Sequence, residues 1–272
     1  MPCMTKHNSC EIYPLFAESV SLGYGTLYQR ICRRVWRRIM IFRAAILITF
    51  IVSLLPQLSA PVFAEDFSPL NIYIVRHGET LGNTTGNHSA ENDRTFSKKG
   101  EQQVAELTQK LERTRFDRIL VSPKYRAMNT IFPYLKKNNL KAEIWPELDE
   151  CCWQKKRDSN YAFRIERGEM IKIESAMRPY FIFPDKESER VYMPTSFSDG
   201  VLMIFKSSDK VTRMFGGSGK NILIVSHYHS GGRLIEILQG LEPEGRFQLS
   251  NAKIAHLREN NQGTFRLLGI NQ

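Results

Sequence analysis

The run Asn71-Ile72-Tyr73-Ile74-Val75 constrains the fold of this chain more than any other segment. It is β-branched and aromatic, too short to show a helical repeat, and bounded by Pro69 and Gly78, so it predicts an interior strand. The strand leads directly into Arg76-His77-Gly78-Glu79-Thr80. Gly78 ends it and lets the backbone turn closely beneath a ligand. Open α/β sheets collect ligands at the carboxyl ends of their strands, where Arg76 and His77 fall. A guanidinium offers forked donors that match phosphate oxygens, and a neutral imidazole beside it is able to attack phosphorus. An Arg-His pair taken alone reads as well as a surface charge next to a strand end.

Three further segments repeat the placement. Phe116 to Val121 predicts a strand followed by Ser122-Pro123, with Pro123 in the first turn of a helix and Arg126 close behind it. Asn221 to Val225 is another apolar strand, running through Ser226 to His227. Ala142 to Trp145 is a short strand followed by Leu148-Asp149-Glu150. Separately, Arg126 is a helix-surface charge, His227 a strand-end cap and Glu150 a solvated loop acid. Together they set Arg76 with His77, Arg126, Glu150 and His227 just beyond predicted strand ends.

With these motifs the chain resembles the histidine phosphatase superfamily, the phosphoglycerate-mutase-like enzymes, in its larger branch, branch 1. The matching residues are Arg76 to Thr80 with Asn83, Phe96 to Gln103, Ser122-Pro123 with Arg126-Ala127 and Thr130, Leu148 with Glu150, Val225-Ser226-His227, and Asn251-Ala252. The resemblance spans roughly residues 70 to 270 and is thin between Cys151 and Lys220. It implies that His77 becomes phosphohistidine and that Arg76, Arg126, His227 and Asn83 hold the phosphoryl oxygens. Glu150 is then the proton donor to the leaving alcohol and later the base that activates water, with Glu147 as its rival. Catalytic His77, Glu150 and His227 with substrate-binding Arg76, Asn83 and Arg126 make a site that needs no cofactor or metal. Positioned cations stabilise the charge on the equatorial oxygens, and a carboxyl group donates its proton when burial or a neighbouring charge raises its pKa.

The chain departs from the family after Glu150, where Cys151-Cys152-Trp153-Gln154-Lys155-Lys156-Arg157 replaces the usual Trp-Glu-Gly turn. Residues 151 to 200 are expected to form a lid-like insertion that sets specificity. Lys155, Lys156 and Arg157 read as a solvated charge run, and His229 as an exposed residue near the pocket rim. The Arg-Phe-Thr-Gly-Trp stretch of the mutases is missing, which favours a phosphomonoesterase over a mutase. A phosphate-binding protein without catalysis is the third reading, disfavoured because both histidines, both arginines and an acid are retained.

Residues 1 to 64 have the features of a leader. Arg30 to Arg43 contains six arginines, Ala44 to Leu55 carries no charge, and Val62-Phe63-Ala64 presents small residues where a signal peptidase cuts. Cleavage after Ala64 is expected, with translation from Met40 as a hypothesis and an uncleaved signal anchor as the alternative. The expected location is therefore the periplasm or the exterior. Residues 1 to 64 hold seven basic and two acidic residues, half of the net charge of +10. The modest remainder suits a small anionic phosphorylated substrate and gives little support to nucleic-acid binding; membrane contact is expected only through the leader. Outside the leader only Cys151-Cys152 remain, adjacent and unsuited to a disulfide framework or a zinc motif.

The predicted order is strand 71–75, helix 97–113, strand 116–121, helix 124–137, strand 141–145, the insertion, helix 198–214, strand 221–225, helix 229–240, then strands near 252–258 and 263–268. Such alternation implies one α/β domain over residues 65–272, a three-layer sandwich with a mostly parallel central sheet and helices on both faces.

Overall fold

The computed structural model describes residues 67–153 and 165–272. The leader, its expected cleavage after Ala64, the start at Met40, and the Lys155-Lys156-Arg157 run lie outside the described residues.

Strand β1 (Asn71–Arg76) is followed by two short helices, α1 (Leu81–Thr85) and α2 (Ala90–Arg94), and then by α3 (Lys98–Leu111). Next come β2 (Arg118–Val121), α4 (Tyr125–Asn138) and β3 (Ala142–Ile144). The stretch expected to be an insertion contributes β4 (Ile165–Met170), β5 (Phe181–Ile182) and β6 (Arg190–Pro194). Helix α5 (Phe197–Phe215), β7 (Asn221–Ser226), α6 (Tyr228–Leu238), β8 (Ile254–Glu259) and β9 (Phe265–Gly269) complete the domain. Seven strands form one sheet in the order β5-β3-β2-β7-β1-β8-β9. The pairs from β5 to β1 are parallel, while β8 and β9 are antiparallel.

Period-two alternation in the central strands builds two cores. Ile72 and Ile74 of β1 and Ile222 and Ile224 of β7 face one side, where Met203, Ile204 and Phe215 of α5 and Leu234 and Ile235 of α6 cover them. Val75, Leu223 and Val225 face the other side, against Leu107 and Leu111 of α3 and Ile131 and Leu135 of α4. With both faces covered, a parallel strand needs apolar residues at every position, which is why β1 and β7 read as continuous apolar runs. The three-layer α/β expectation therefore holds. Every element predicted outside the insertion is present to within about three residues at either end.

The insertion is a correction. Phe181 pairs with Ala142, so β5 extends the main sheet, and Met177 and Phe181 are buried in the α3–α4 core. That part of the stretch belongs to the domain framework, not to a lid. A two-residue strand is too short for any periodic signal. The ribbon of β4 and β6 is a separate two-stranded sheet. Gly168 and the charges around it hide its alternation, and its backbone bulges between Arg167 and Met170.

Several family-motif residues position the loop that follows β1. Gly78 N–H donates to Thr130 Oγ1 at 2.9 Å, and that hydroxyl donates to Arg126 O at 2.7 Å. Ser97 caps α3 by accepting from Gly100 N–H, and donates to Glu79 Oε1 at 2.8 Å. A Cβ on Gly100 would lie 2.0 Å from the Glu79 carbonyl oxygen, so only glycine lets α3 approach this loop.

Candidate active site

Parallel pairing in register brings the key residues together. Val75 of β1 lies beside Val225 of β7, and Val225 beside Val121 of β2, so the three strands end together. His77 follows β1, Ser122 follows β2 and His227 follows β7. Arg126 arrives on the first turn of α4.

His77 is 2% exposed, and its Nδ1 lies 2.8 Å from the Gly78 carbonyl oxygen. A carbonyl only accepts, so Nδ1 carries the proton and Nε2 is the unprotonated, accepting nitrogen. Arg126 Nε donates to that Nε2 at 3.1 Å. Burial first, then the Arg126 and Arg76 charges, push the His77 pKa well below the usual histidine value, so the ring stays neutral. A neutral imidazole whose Nε2 is unprotonated is the nucleophilic form, once Arg126 Nε gives up that lone pair.

Arg76 donates from Nη1 to Leu249 O at 3.2 Å, and its guanidinium lies over the Tyr228 ring at 4.9 Å. Its buried Nε has no partner among the described residues. An unpaired buried donor costs roughly 1–3 kcal/mol, so an anion bound there relieves a penalty already present. Asn83 sits at the third position of α1, where its Oδ1 accepts from Thr80 N–H at 3.2 Å and from Asn251 Nδ2 at 3.2 Å. Asn251 also donates to the His77 carbonyl at 3.0 Å.

Glu150 accepts from Ser230 N–H at 3.1 Å and from Cys151 N–H at 3.2 Å, both on Oε1. Those bonds leave Oε2 as the oxygen to carry a proton. Burial outweighs the two hydrogen bonds and raises the Glu150 pKa. Asp149, also raised by burial, is paired with Lys124 at 3.3 Å. Glu147 lies elsewhere, 3.7 Å from Lys210 of α5. The backbone after Glu150 turns at Cys152, whose φ of 64° is left-handed, and both thiols are free and buried.

A cavity of about 790 Å³ is lined by Arg76, His77, Asn83, Arg126 and Glu150, together with His229. Glu147 does not line it. His227 is fully buried and sits behind the wall, with its ring centroid 5.2 Å from that of His77. Its Nε2 is 2.6 Å from Ser122 Oγ, and its Nδ1 has no partner among the described residues. Burial, then Arg126 and His77, push its pKa well below the usual value too. His88, Asp93, Lys124, Tyr125, Trp153, Glu169 and Tyr228 complete most of the wall and were not singled out from the sequence. Lys124, Tyr125 and Tyr228 adjoin recognised motif residues. His88 precedes α2 and Asp93 lies within it, in a helix too short for a periodic pattern to mark.

Residues 72–189 match the model described as the histidine phosphatase superfamily (branch 1). Over those residues the chain belongs to this superfamily. A curated relative, the adenosylcobalamin/alpha-ribazole phosphatase of Salmonella typhimurium, is 35% identical over 81 residues, covering 30% of this chain and 40% of that protein. The chain is thus aligned to less than half the length of this relative. Among solved structures, this histidine phosphatase superfamily member resembles the alpha-ribazole phosphatase of Shigella flexneri with a TM-score of 0.53 at 22% identity, covering 74% of this chain and 96% of that one. It also resembles the phosphoglycerate mutase of Bacillus anthracis with a TM-score of 0.52 at 18% identity, covering 76% and 95%. At these identities the likeness establishes the fold, which hydrolases and mutases share.

The two buried histidines make stability depend on pH. An unfolded histidine titrates near about 6.5, whereas His77 and His227 are held well below that in the folded chain. Above that pH both states are neutral and nothing is lost. Below it the unfolded chain takes up protons that the folded one refuses, so stability falls with pH by up to about 1.4 kcal/mol per unit for each group. Denaturant midpoints measured from pH 7.5 down to 5.5 are expected to decline, and His227→Asn to flatten the decline. Equal slopes in both proteins would remove His227 from this account.

Proposed function

We propose that this protein is a phosphomonoesterase that works through a phosphohistidine intermediate without a metal ion. The reading is carried by the tautomer of His77, whose unprotonated Nε2 accepts from Arg126 in a cavity lined also by Arg76 and Glu150. His77 Nε2 attacks the phosphorus as the ester P–O bond breaks, and the departing oxygen takes the proton from Glu150. Arg76 and Arg126 neutralise the phosphoryl oxygens during transfer, with Asn83 beside them. Glu150, now a carboxylate, takes a proton from water as the water attacks the phosphoryl group, releasing orthophosphate and restoring Nε2. His227 supports the His77 ring from behind and, through Nδ1, meets the anion if the ring turns.

Hydrolysis is favoured over mutase chemistry by how the cations around the cavity are used. Arg94 pairs with Glu174 at 2.7 Å and Lys124 with Asp149 at 3.3 Å, so a second anionic group has to compete with a carboxylate for either. The purified protein is expected to release orthophosphate from p-nitrophenyl phosphate in the presence of a chelator. It is expected to give glycerate and orthophosphate, not an isomer, from 3-phosphoglycerate. Phosphoryl return to substrate would overturn the hydrolase reading in favour of the mutase one.

Export belongs to the same proposal and rests on the basic, apolar and small-residue succession before Glu65. Mapping the N-terminus of protein recovered from the producing cells is expected to find Glu65 first. Recovery of intact peptides spanning Ala64 and Glu65 would sink cleavage.

A further inference from the structure

A chain of polar contacts that starts outside the recognised motifs ends on the nucleophile. His88 Nδ1 lies 2.9 Å from Asp93 Oδ1, Asp93 Oδ2 lies 3.3 Å from Arg126 Nη1, and Arg126 Nε donates to His77 Nε2 at 3.1 Å. All four residues line the cavity. Helix α1 is shaped to receive the outer pair, since a Cβ on Gly82 would lie 2.3 Å from Asp93 Oδ1 and 3.0 Å from His88 Nδ1. Ser89 and Asn92 fix the turn that carries both residues, Ser89 Oγ accepting from Asn92 N–H and Asn92 Nδ2 donating to Asn87 O.

We propose that Asp93, held by His88, is a positioning residue that anchors the outer edge of Arg126 and competes with the phosphoryl group for it. This rests on the phosphatase reading. Without substrate, the Arg126 Nε–H covers the lone pair that must attack phosphorus. An arginine free at its outer end follows the nucleophile or the anion indifferently. Fixed at Nη1 by Asp93, it keeps its inner edge at the mouth of the site, where donors placed in advance act without reorganisation. The carboxylate also stands close to the anion's counter-charge. It therefore weakens the hold on orthophosphate, the last species to leave.

These two effects separate a positioning role from a merely structural one. Asp93→Asn keeps the size of the side chain and loses its charge. Its kcat with p-nitrophenyl phosphate is expected to fall about tenfold, a fraction of the loss seen when a transition-state donor is removed outright. Its orthophosphate affinity, titrated calorimetrically, is expected to tighten severalfold. Gly82→Ala displaces the pair without changing any charge and is expected to lower kcat in the same way. Thermal melts of both variants identify any that fail to fold. A kcat within twofold of wild type in folded Asp93→Asn, or orthophosphate binding no tighter than in wild type, overturns the proposal. If wild type turns over no phosphomonoester, the phosphatase reading fails by itself, and the orthophosphate titration still decides whether Asp93 opposes the anion.

Discussion

His77→Ala is expected to lower p-nitrophenyl phosphate turnover by roughly four orders of magnitude or more, because it removes the only atom proposed to bond to phosphorus. The residual rate should be little more than that of a phosphate-binding pocket. Arg76, Arg126 and the cavity remain in this variant, so orthophosphate should still bind. Alkaline denaturing quench of wild type during turnover of a labelled substrate is expected to trap a base-stable, acid-labile phosphoryl group on the peptide containing residue 77. A variant that retains a tenth of the wild-type rate, or a label on any other residue, would end the phosphohistidine proposal. The expectation is strong because the tautomer is set by geometry: Gly78 O accepts the proton on Nδ1, and Nε2 is left unprotonated, accepting from Arg126.

Glu150→Gln is expected to produce the second large effect, and to produce it selectively. An alkyl phosphate loses a strongly basic alkoxide, so removing its proton donor should lower kcat by about 10²- to 10⁴-fold. A nitrophenolate leaves readily without a proton, so phosphorylation of His77 by p-nitrophenyl phosphate should be far less affected. Hydrolysis of the intermediate still needs a base, so the variant should give a burst of one nitrophenol per site followed by a slow steady state. Glutamine keeps an oxygen to accept from Ser230 and Cys151, which preserves the local fold. Equal losses with both substrates and no burst would show that Glu150 is not the acid. Glu147→Gln serves as the comparison, since Glu147 lies against Lys210 of α5 and not on the cavity wall.

The sheet was legible because both faces of β1 and β7 are covered, which forces apolar residues at every position and leaves only the strand ends polar. Arg76, His77, Arg126, Glu150 and His227 stood out for that reason, each just past such an end. The choice between Glu150 and Glu147 was not legible, since three residues along a loop carry no periodic signal. It became so when Ser230 N–H was found on Glu150 and Lys210 on Glu147. The depth of His227 was hidden too. A histidine after a strand faces the ligand or the layer behind it according to one rotamer, and here it meets Ser122. The role of residues 151–200 was misread in part, because β5 is two residues long and its burial comes entirely from partners distant in sequence.

The sequence by itself determined the order of strands and helices, the strand ends on which the chemistry sits, and the residue types able to transfer a phosphoryl group. Those are local properties, written in hydrophobic period and in the residues that interrupt it. Only the tertiary structure decided which nitrogen of His77 bears the proton, which acid enters the cavity, and that His88 and Asp93 reach Arg126. The acid is fixed by the Ser230 N–H eighty residues away and Arg126 meets Asp93 across thirty-three residues, distances that no sequence spacing records; the His77 proton follows from the way its ring turns onto the neighbouring Gly78 carbonyl.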